Sequence, residues 1–149
     1  MGQGEGFMAE VIETRLRSIA KLSNESLFGL ESSLYKNFLS NVIANRPVIL
    51  SNSGITLLNQ NFVILPNKTG DEDIEECSNG LRFTTPERTI CDMINYDRRE
   101  DLIIEALDDY LSEPEKFKGK EYLLEIARKY KVEYKVLGYI DEIDDYFNY

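Results

Sequence analysis

The residues in this sequence that are most able to do chemistry lie in one short string, residues 81–93. Within it, the hydroxyl of Thr85, a proline and the acid Glu87 follow one another, and this order is typical of a helix start. Arg88 and Asp92 are four residues apart, so on a helix their side chains lie on one face and can pair. The string therefore predicts a fixed charged corner where a strand meets a helix, made of Thr85, Glu87, Arg88 and Asp92.

Two interpretations of this corner follow from its residue types. In the first, the corner is structural, and the pair of Arg88 and Asp92 fastens a strand-to-helix turn. In the second, the corner is a charged spot that grips a partner or a ligand. Two carboxylates about one helical turn apart do not define an acid/base pair without a pocket, so the string does not predict an enzyme.

The composition excludes several kinds of chemistry. The chain contains no histidine, which excludes Ser-His-Asp and Cys-His catalysis and histidine-ligated zinc. Cys77 and Cys91 form neither a CxxC pair nor a four-ligand metal set, so we expect reduced thiols in a cytoplasmic protein. With 17 Lys and Arg against 27 Asp and Glu, the net charge is −10, and we expect no nucleic-acid surface. We also expect no cofactor. No apolar run is long enough to span a bilayer, so we expect no membrane partner.

An acidic segment, residues 66–79, offers a different chemistry. We interpret it as a solvated loop, and a carboxylate metal site is the alternative, although its spacing does not match a calcium-binding EF-hand. A nucleotidyltransferase would use residues 51–54 as a nucleotide loop and Asp71 and Asp73 as metal ligands. The sequence favours this identity less, because the two aspartates lie in a polar loop and neither standard phosphate-binding glycine motif is present.

Hydrophobic spacing predicts the elements that position these residues. The first half predicts helices over 9–22 and 32–44, and strands over 48–50, 55–58, 61–65 and 81–84. The second half predicts helices over 86–95, 100–111, 121–131 and 135–146. In the helix predicted over 32–44, the residues expected on the apolar side are Leu34, Phe38, Leu39, Val42 and Ile43.

The length of 149 residues suits one domain, which we place at residues 9–149. Residues 9–84 would hold helices and a small sheet, residues 85–149 would be the helical half, and residues 1–8 would be flexible or a cloning remnant. The predicted fold class is α+β. A small, mostly antiparallel sheet packs against the helical C-terminal half, and the two N-terminal helices cover it.

Aromatic residues cluster late in the chain, among them Tyr130, Tyr134 and Tyr139. Tyrosines near helix ends are usually core-edge residues with a wet hydroxyl, and they are also common interface anchors. The segment 141–147 mixes acids with aromatics, and we interpret it as a solvated helix end, with a partner-binding tail as the alternative.

The string around the charged corner resembles the T-x-x-E-R-T-hydrophobic-x-D signature of the AbiEi family, the antitoxins of type IV (abortive-infection) toxin–antitoxin systems. The matching residues are Thr84, Glu87, Arg88, Thr89, Ile90 and Asp92. Downstream, residues 123–130 and 136–140 resemble the closing helices of that family, so the resemblance covers residues 80–143. The chain departs from the family in one respect: we find no N-terminal winged helix, so it resembles the C-terminal antitoxin-type domain alone.

The resemblance implies a non-catalytic, cytoplasmic antitoxin that counters a nucleotidyltransferase-like toxin, by direct contact or functionally. Without the winged helix, DNA binding by this chain is not expected. Two alternatives remain open, a transcriptional regulator fragment whose DNA-binding domain is missing, and a protein-interaction domain of unassigned role.

Overall fold

The computed structural model describes residues 27–39, 46–53, 56–58, 62–78 and 80–147. Within these ranges the chain forms six strands and five helices, so the predicted α+β class is confirmed. The strands are β1 (Leu27–Phe28), β2 (Val48–Ser51), β3 (Leu57–Leu58), β4 (Val63–Pro66), β5 (Ile74–Glu76) and β6 (Arg82–Thr84). The helices are α1 (Glu31–Lys36), α2 (Pro86–Asn95), α3 (Glu100–Ser112), α4 (Lys120–Lys129) and α5 (Glu133–Phe147). The predicted helix over 9–22 lies outside the described residues.

The six described strands form one mixed sheet in the order β3-β4-β2-β1-β6-β5. The β1–β2, β3–β4 and β5–β6 pairs are antiparallel, whereas the β1–β6 and β2–β4 pairs are parallel. The prediction of a mostly antiparallel sheet is therefore confirmed only in part. Both parallel pairs are internal to the sheet, because neither includes the edge strands β3 and β5.

Two strands were not predicted from the sequence. Strand β1 has only two residues, too few for an alternating pattern, yet Leu27 is in register with Leu50 on one side and Arg82 on the other. Strand β5 lies inside the acidic segment 66–79, so the prediction of a loop throughout that segment is wrong. Its acids are tolerated because β5 is an edge strand, where charged side chains can remain in water.

The first described helix is shorter than the sequence predicts, since α1 ends at Lys36. Phe38 adopts a left-handed φ of 56°, and the backbone N–H of Leu39 donates to the carbonyl of Leu34 at 2.9 Å. This is the hydrogen-bond pattern that commonly ends helices, usually with glycine at the left-handed position. Leu34 and Leu39 are buried as predicted, but Phe38 is 79% exposed, because the turn points it away from the core.

The four C-terminal helices follow their predictions closely. Helices α2 and α4 end with the same turn as α1, with Asp97 and Lys131 in the left-handed position at φ of 54° and 63°. After these two turns, α3 packs against α2 and α5 packs against α4.

The sheet separates two hydrophobic clusters because successive residues of a strand face opposite sides. Leu27, Val48 and Leu50 join the larger cluster, which also contains the buried faces of the helices. Phe28 and Ile49 belong to the smaller cluster on the other side.

In the described part of the chain, no helix is long and apolar enough to cross a membrane. Cys77 and Cys91 are free thiols, and Cys91 is buried. Burial, with smaller contributions from neighbouring carboxylates, raises the pKa of Cys91 above its ordinary value.

Candidate functional site

The predicted helix start is present and is tied into the sheet by hydroxyl groups. Thr85 caps α2, because its Oγ1 accepts a hydrogen bond from the backbone N–H of Arg88 at 3.3 Å. Next to it, Thr84 and Thr89 are fully buried and their hydroxyl oxygens lie 2.6 Å apart. The Thr84 hydroxyl also donates to Ser33 of α1 at 2.9 Å. A chain of buried hydroxyls therefore joins β6, α2 and α1.

Arg88 lies at the centre of the corner and has no exposed surface. Its Nε donates to Oδ2 of Asp92 at 3.1 Å, so the predicted pair exists and is buried. The remaining donors reach the loop between β4 and β5, residues 67–73. They bind the carbonyl of Glu72 at 2.6 Å and the side-chain oxygens of Asn67 and Thr69 at 3.0 Å. Arg88 therefore fastens this loop to α2.

Asp92 is the charge that balances Arg88, and it is equally buried. Its Oδ1 has no hydrogen-bond partner among the described residues. Burial raises the pKa of Asp92 above its ordinary value, against the opposing charge of Arg88. The carboxylate therefore depends on Arg88 for compensation.

Glu87 belongs to a different contact from the other corner residues. It is 4% exposed, and its Oε2 accepts a hydrogen bond from the hydroxyl of Tyr110 at 2.7 Å. Tyr110 is fully buried, stacks on Phe117 at a centroid distance of 4.9 Å, and also donates to the carbonyl of Gly119 at 3.2 Å. The structure thus groups Thr85, Arg88 and Asp92, while Glu87 anchors α2 to α3.

The loop 67–73 is fastened at both ends as well as by Arg88. At its start, the Tyr96 hydroxyl donates to the carbonyl of Pro66 at 2.6 Å and accepts from the N–H of Lys68 at 2.7 Å. At its end, Oδ2 of Asp73 accepts from Lys129 at 2.8 Å and from the Tyr130 hydroxyl at 2.6 Å. The loop therefore joins the sheet to α2 and α4.

The hydrogen bonds at the end of the loop change the pKa of Asp73. Burial alone would raise the pKa, but hydrogen bonds from Lys129 and Tyr130, and the charges of Lys129 and Arg88, lower it below its ordinary value. A carboxylate whose pKa is lower in the folded than in the unfolded state stabilises the fold above its unfolded pKa. That stabilisation is lost as the pH falls through the folded-state value.

Asp73→Asn should therefore remove part of the acid sensitivity of folding. We expect a loss of about 1–2 kcal/mol at neutral pH, because an ionic hydrogen-bond acceptor is lost at a partly exposed site. We also expect a shallower fall in stability below pH 4 than in the unsubstituted protein. Urea unfolding at a series of pH values measures both effects. Asp141→Asn, at an exposed position of α5, is the matched control for the change of charge, and its profile is measured beside that of Asp73→Asn. A profile of Asp73→Asn that matches that of the unsubstituted protein would refute the assignment.

The residues of the nucleotidyltransferase alternative are only partly brought together. Asn52, from the 51–54 segment, donates to Oδ1 of Asp71 at 3.0 Å. Asp73 instead binds Lys129 and Tyr130, so the two aspartates share no side-chain hydrogen-bond partner among the residues that the structure describes. In the described ranges, no group of three or more His, Cys, Asp or Glu side chains is placed to hold a metal ion.

The corner is arranged to hold elements together. Its carboxylates are engaged by Arg88 and Tyr110, and its cation is covered by the loop 67–73. Sequence reasoning found the residues of the corner that are close in the chain. It missed Asn67, Thr69 and the buried serines of α1, which carried no local signal. Helical spacing predicts that Tyr110 is buried, as it is, but not that it binds Glu87.

Comparisons of this chain with protein-family models, with curated proteins and with solved structures find no match. The resemblance to the AbiEi family therefore stays a prediction that rests on the signature residues.

Proposed function

We propose that this chain is a non-catalytic antitoxin-like protein of a type IV toxin–antitoxin system. It counters a nucleotidyltransferase-like toxin in the cytoplasm. The observation that supports this most is the burial of the whole signature. Its six residues are all 4% exposed or less, and they are Thr84, Glu87, Arg88, Thr89, Ile90 and Asp92.

A buried signature supports a shared fold more directly than a shared contact surface. Thr84 and Thr89 join strand to helix, Arg88 and Asp92 hold the loop 67–73, and Glu87 holds α3. Each signature residue thus has a packing or hydrogen-bonding reason to be what it is. Helices α4 and α5 also lie where the resemblance places the closing helices of the family, at residues 123–130 and 136–140.

A consequence concerns where the toxin is recognised. Arg88 and Asp92 have no exposed surface, so they cannot touch a partner in this conformation. Their influence on activity would pass through the fold and through the loop that covers them. Recognition of a partner would therefore use exposed residues outside the buried corner.

The test is a co-expression rescue. The first step is to look for a nucleotidyltransferase gene next to the gene for this chain. Its product is then induced in a host cell with this chain or with an empty vector, and surviving colonies are counted. We expect the chain to restore survival to near the level seen without toxin induction. A chain that is soluble and abundant, yet fails to rescue cells from an active toxin, would refute the proposal.

A further inference from the structure

A pocket of about 260 Å³ lies at the end of the sheet where the parallel strands β2 and β4 finish. It is lined by two leucines, two asparagines and one residue of each charge: Leu27, Leu50, Asn52, Asn67, Asp71 and Arg82. The carboxyl ends of neighbouring parallel strands are a common place for ligands in open sheets. None of the four corner residues lines this pocket, so it is a candidate site of its own.

One part of the pocket is apolar and fixed by the sheet. Leu50, Leu27 and Arg82 are in register across β2, β1 and β6, so their side chains lie on one face. Leu27 and Leu50 are buried, whereas Arg82 is half-buried. The row therefore presents an aliphatic surface with a basic side chain beside it.

The two asparagines hold Asp71 in place. Asn52 and Asn67 each donate from Nδ2 to Oδ1 of Asp71, at 3.0 Å and 3.4 Å. Asn67 also donates to Oδ1 of Asn52 at 3.0 Å and accepts from the Arg88 guanidinium at 3.0 Å. These side chains are therefore oriented before any ligand arrives, and Arg88 is a positioning residue for the pocket.

Two opposite charges of the pocket are open to a ligand. The guanidinium of Arg82 makes no hydrogen bond and no ion pair with any residue that the structure describes. Among the same residues, the hydrogen bonds to Asp71 all reach Oδ1, so Oδ2 is open. Glu76 is opposite Arg82 in the register of β5 and β6, but it is exposed, does not line the pocket and does not pair with Arg82. An acid and a base that line one pocket without pairing favour a ligand that bridges them.

The charges also indicate which ligand fits. A guanidinium binds a carboxylate through two parallel hydrogen bonds, and a carboxylate accepts hydrogen bonds from an ammonium group. A phosphate dianion would find a single cation here and would be repelled by Asp71. Sites for drug-sized ligands have volumes of about 300–1,000 Å³, so this pocket suits a smaller molecule. The complementary ligand is small, carries one charge of each sign and has an apolar side chain.

We propose that this pocket binds a free α-amino acid with an aliphatic side chain. Arg82 binds its carboxylate, Asp71 and the amide oxygen of Asn52 bind its ammonium group, and its side chain lies against Leu27 and Leu50. The inference goes beyond the proposed function and does not depend on it, because it concerns a ligand of this chain and not a toxin.

The test titrates the purified full chain with valine, leucine, isoleucine and methionine in turn, by isothermal titration calorimetry. We expect at least one of them to bind with a dissociation constant below about 1 mM. Two analogues of the tightest ligand each lack one charge. The amide has no carboxylate, and the desamino acid has no ammonium group, so each should bind more than about tenfold more weakly.

Two variants assign these charges to residues. Arg82→Gln should weaken binding of the amino acid more than about tenfold and leave binding of its amide nearly unchanged. Asp71→Asn should weaken binding of the amino acid similarly, yet leave binding of the desamino acid unchanged or tighter. A general loss of folding would not produce these opposite preferences, and melting temperatures are measured beside them. Arg99→Gln and Asp141→Asn make the same changes of charge at exposed positions that do not line the pocket, and both should bind normally.

Three results would overturn the inference. The first is no binding of any of the four amino acids by the folded, unsubstituted chain at millimolar concentration. The second is normal binding by both Arg82→Gln and Asp71→Asn. The third is a desamino acid that binds as tightly as the amino acid, which would make the pocket a simple anion site. Since no toxin enters these measurements, each result leaves the proposed function to its own rescue test.

Discussion

Arg88→Ala should lower the free energy of unfolding by about 3–5 kcal/mol, the cost typical of breaking a buried ion pair by removing one partner. The substitution would leave the buried carboxyl of Asp92 without its compensating cation, so that it must either stay charged in the interior or take up a proton. Its Oδ1 already lacks a partner among the described residues. It would also remove three hydrogen bonds that hold the loop 67–73. Urea unfolding followed by circular dichroism measures the loss.

The matched control is Arg128→Ala. Arg128 also pairs with an acid, Glu133, at 2.7 Å, but its side chain is 72% exposed. Exposed pairs contribute about 0–1 kcal/mol, so this substitution should cost little. Combining Arg88→Met with Asp92→Leu should recover part of the stability, because a buried pair can often be replaced by apolar residues of similar volume.

The same variant separates the two interpretations of the corner. In the structural interpretation, Arg88→Ala weakens rescue only as far as it reduces the folded fraction, and the Arg88→Met, Asp92→Leu variant regains rescue with stability. A folded, stable Arg88→Ala protein that fails to rescue would instead show that Arg88 serves recognition beyond its contribution to stability, through the loop 67–73 that it holds. A loss of less than about 1 kcal/mol would contradict the structural interpretation.

The local features of the corner were predictable because their causes are local. A helix start needs only the cap, the proline and the acid that follow one another at residues 85–87, and helix α2 begins and ends where the sequence predicts. The pairing of Arg88 with Asp92 follows from a spacing of one helical turn. Hydrophobic periodicity likewise located α3, α4 and α5, because each helix is long enough to show its buried face.

The remaining partners were not predictable because they come from distant parts of the chain. Asn67 lies 21 residues before Arg88, and Tyr110 lies 23 residues after Glu87. Nothing in a polar loop or a helical tyrosine marks such a contact before the chain is folded. The strand β1 was missed for a related reason: its two residues are a strand only because β2 and β6 flank them.

The sequence did not predict that turns with a left-handed residue end α1, α2 and α4. Glycine is the usual residue in the left-handed position after a helix, and a glycine there would have been a clear signal. Phe38, Asp97 and Lys131 occupy it instead. Gly138, by contrast, lies inside helix α5 and does not end it, and a Cβ atom added there would meet nothing within 4 Å.

Tyr110→Ala should lower the free energy of unfolding by about 3–5 kcal/mol, comparable to the loss at Arg88. Tyr110 is fully buried and stacks on Phe117, so truncation leaves a cavity between α3 and the loop that precedes α4. It also removes the hydroxyl that donates to Glu87, a carboxylate with 4% exposure.

Tyr110→Phe separates these two contributions. It keeps the ring and removes only the hydroxyl, so it should cost about 1–3 kcal/mol, the penalty of leaving a buried acceptor unsatisfied. The cost should shrink when Glu87 is replaced by leucine, because the acceptor is then absent as well, and a double-mutant cycle measures this coupling. Additive costs would show that Glu87 and Tyr110 stabilise the fold independently. The contact between these two side chains would then stabilise α2 and α3 by packing, without a hydrogen bond that requires both residues.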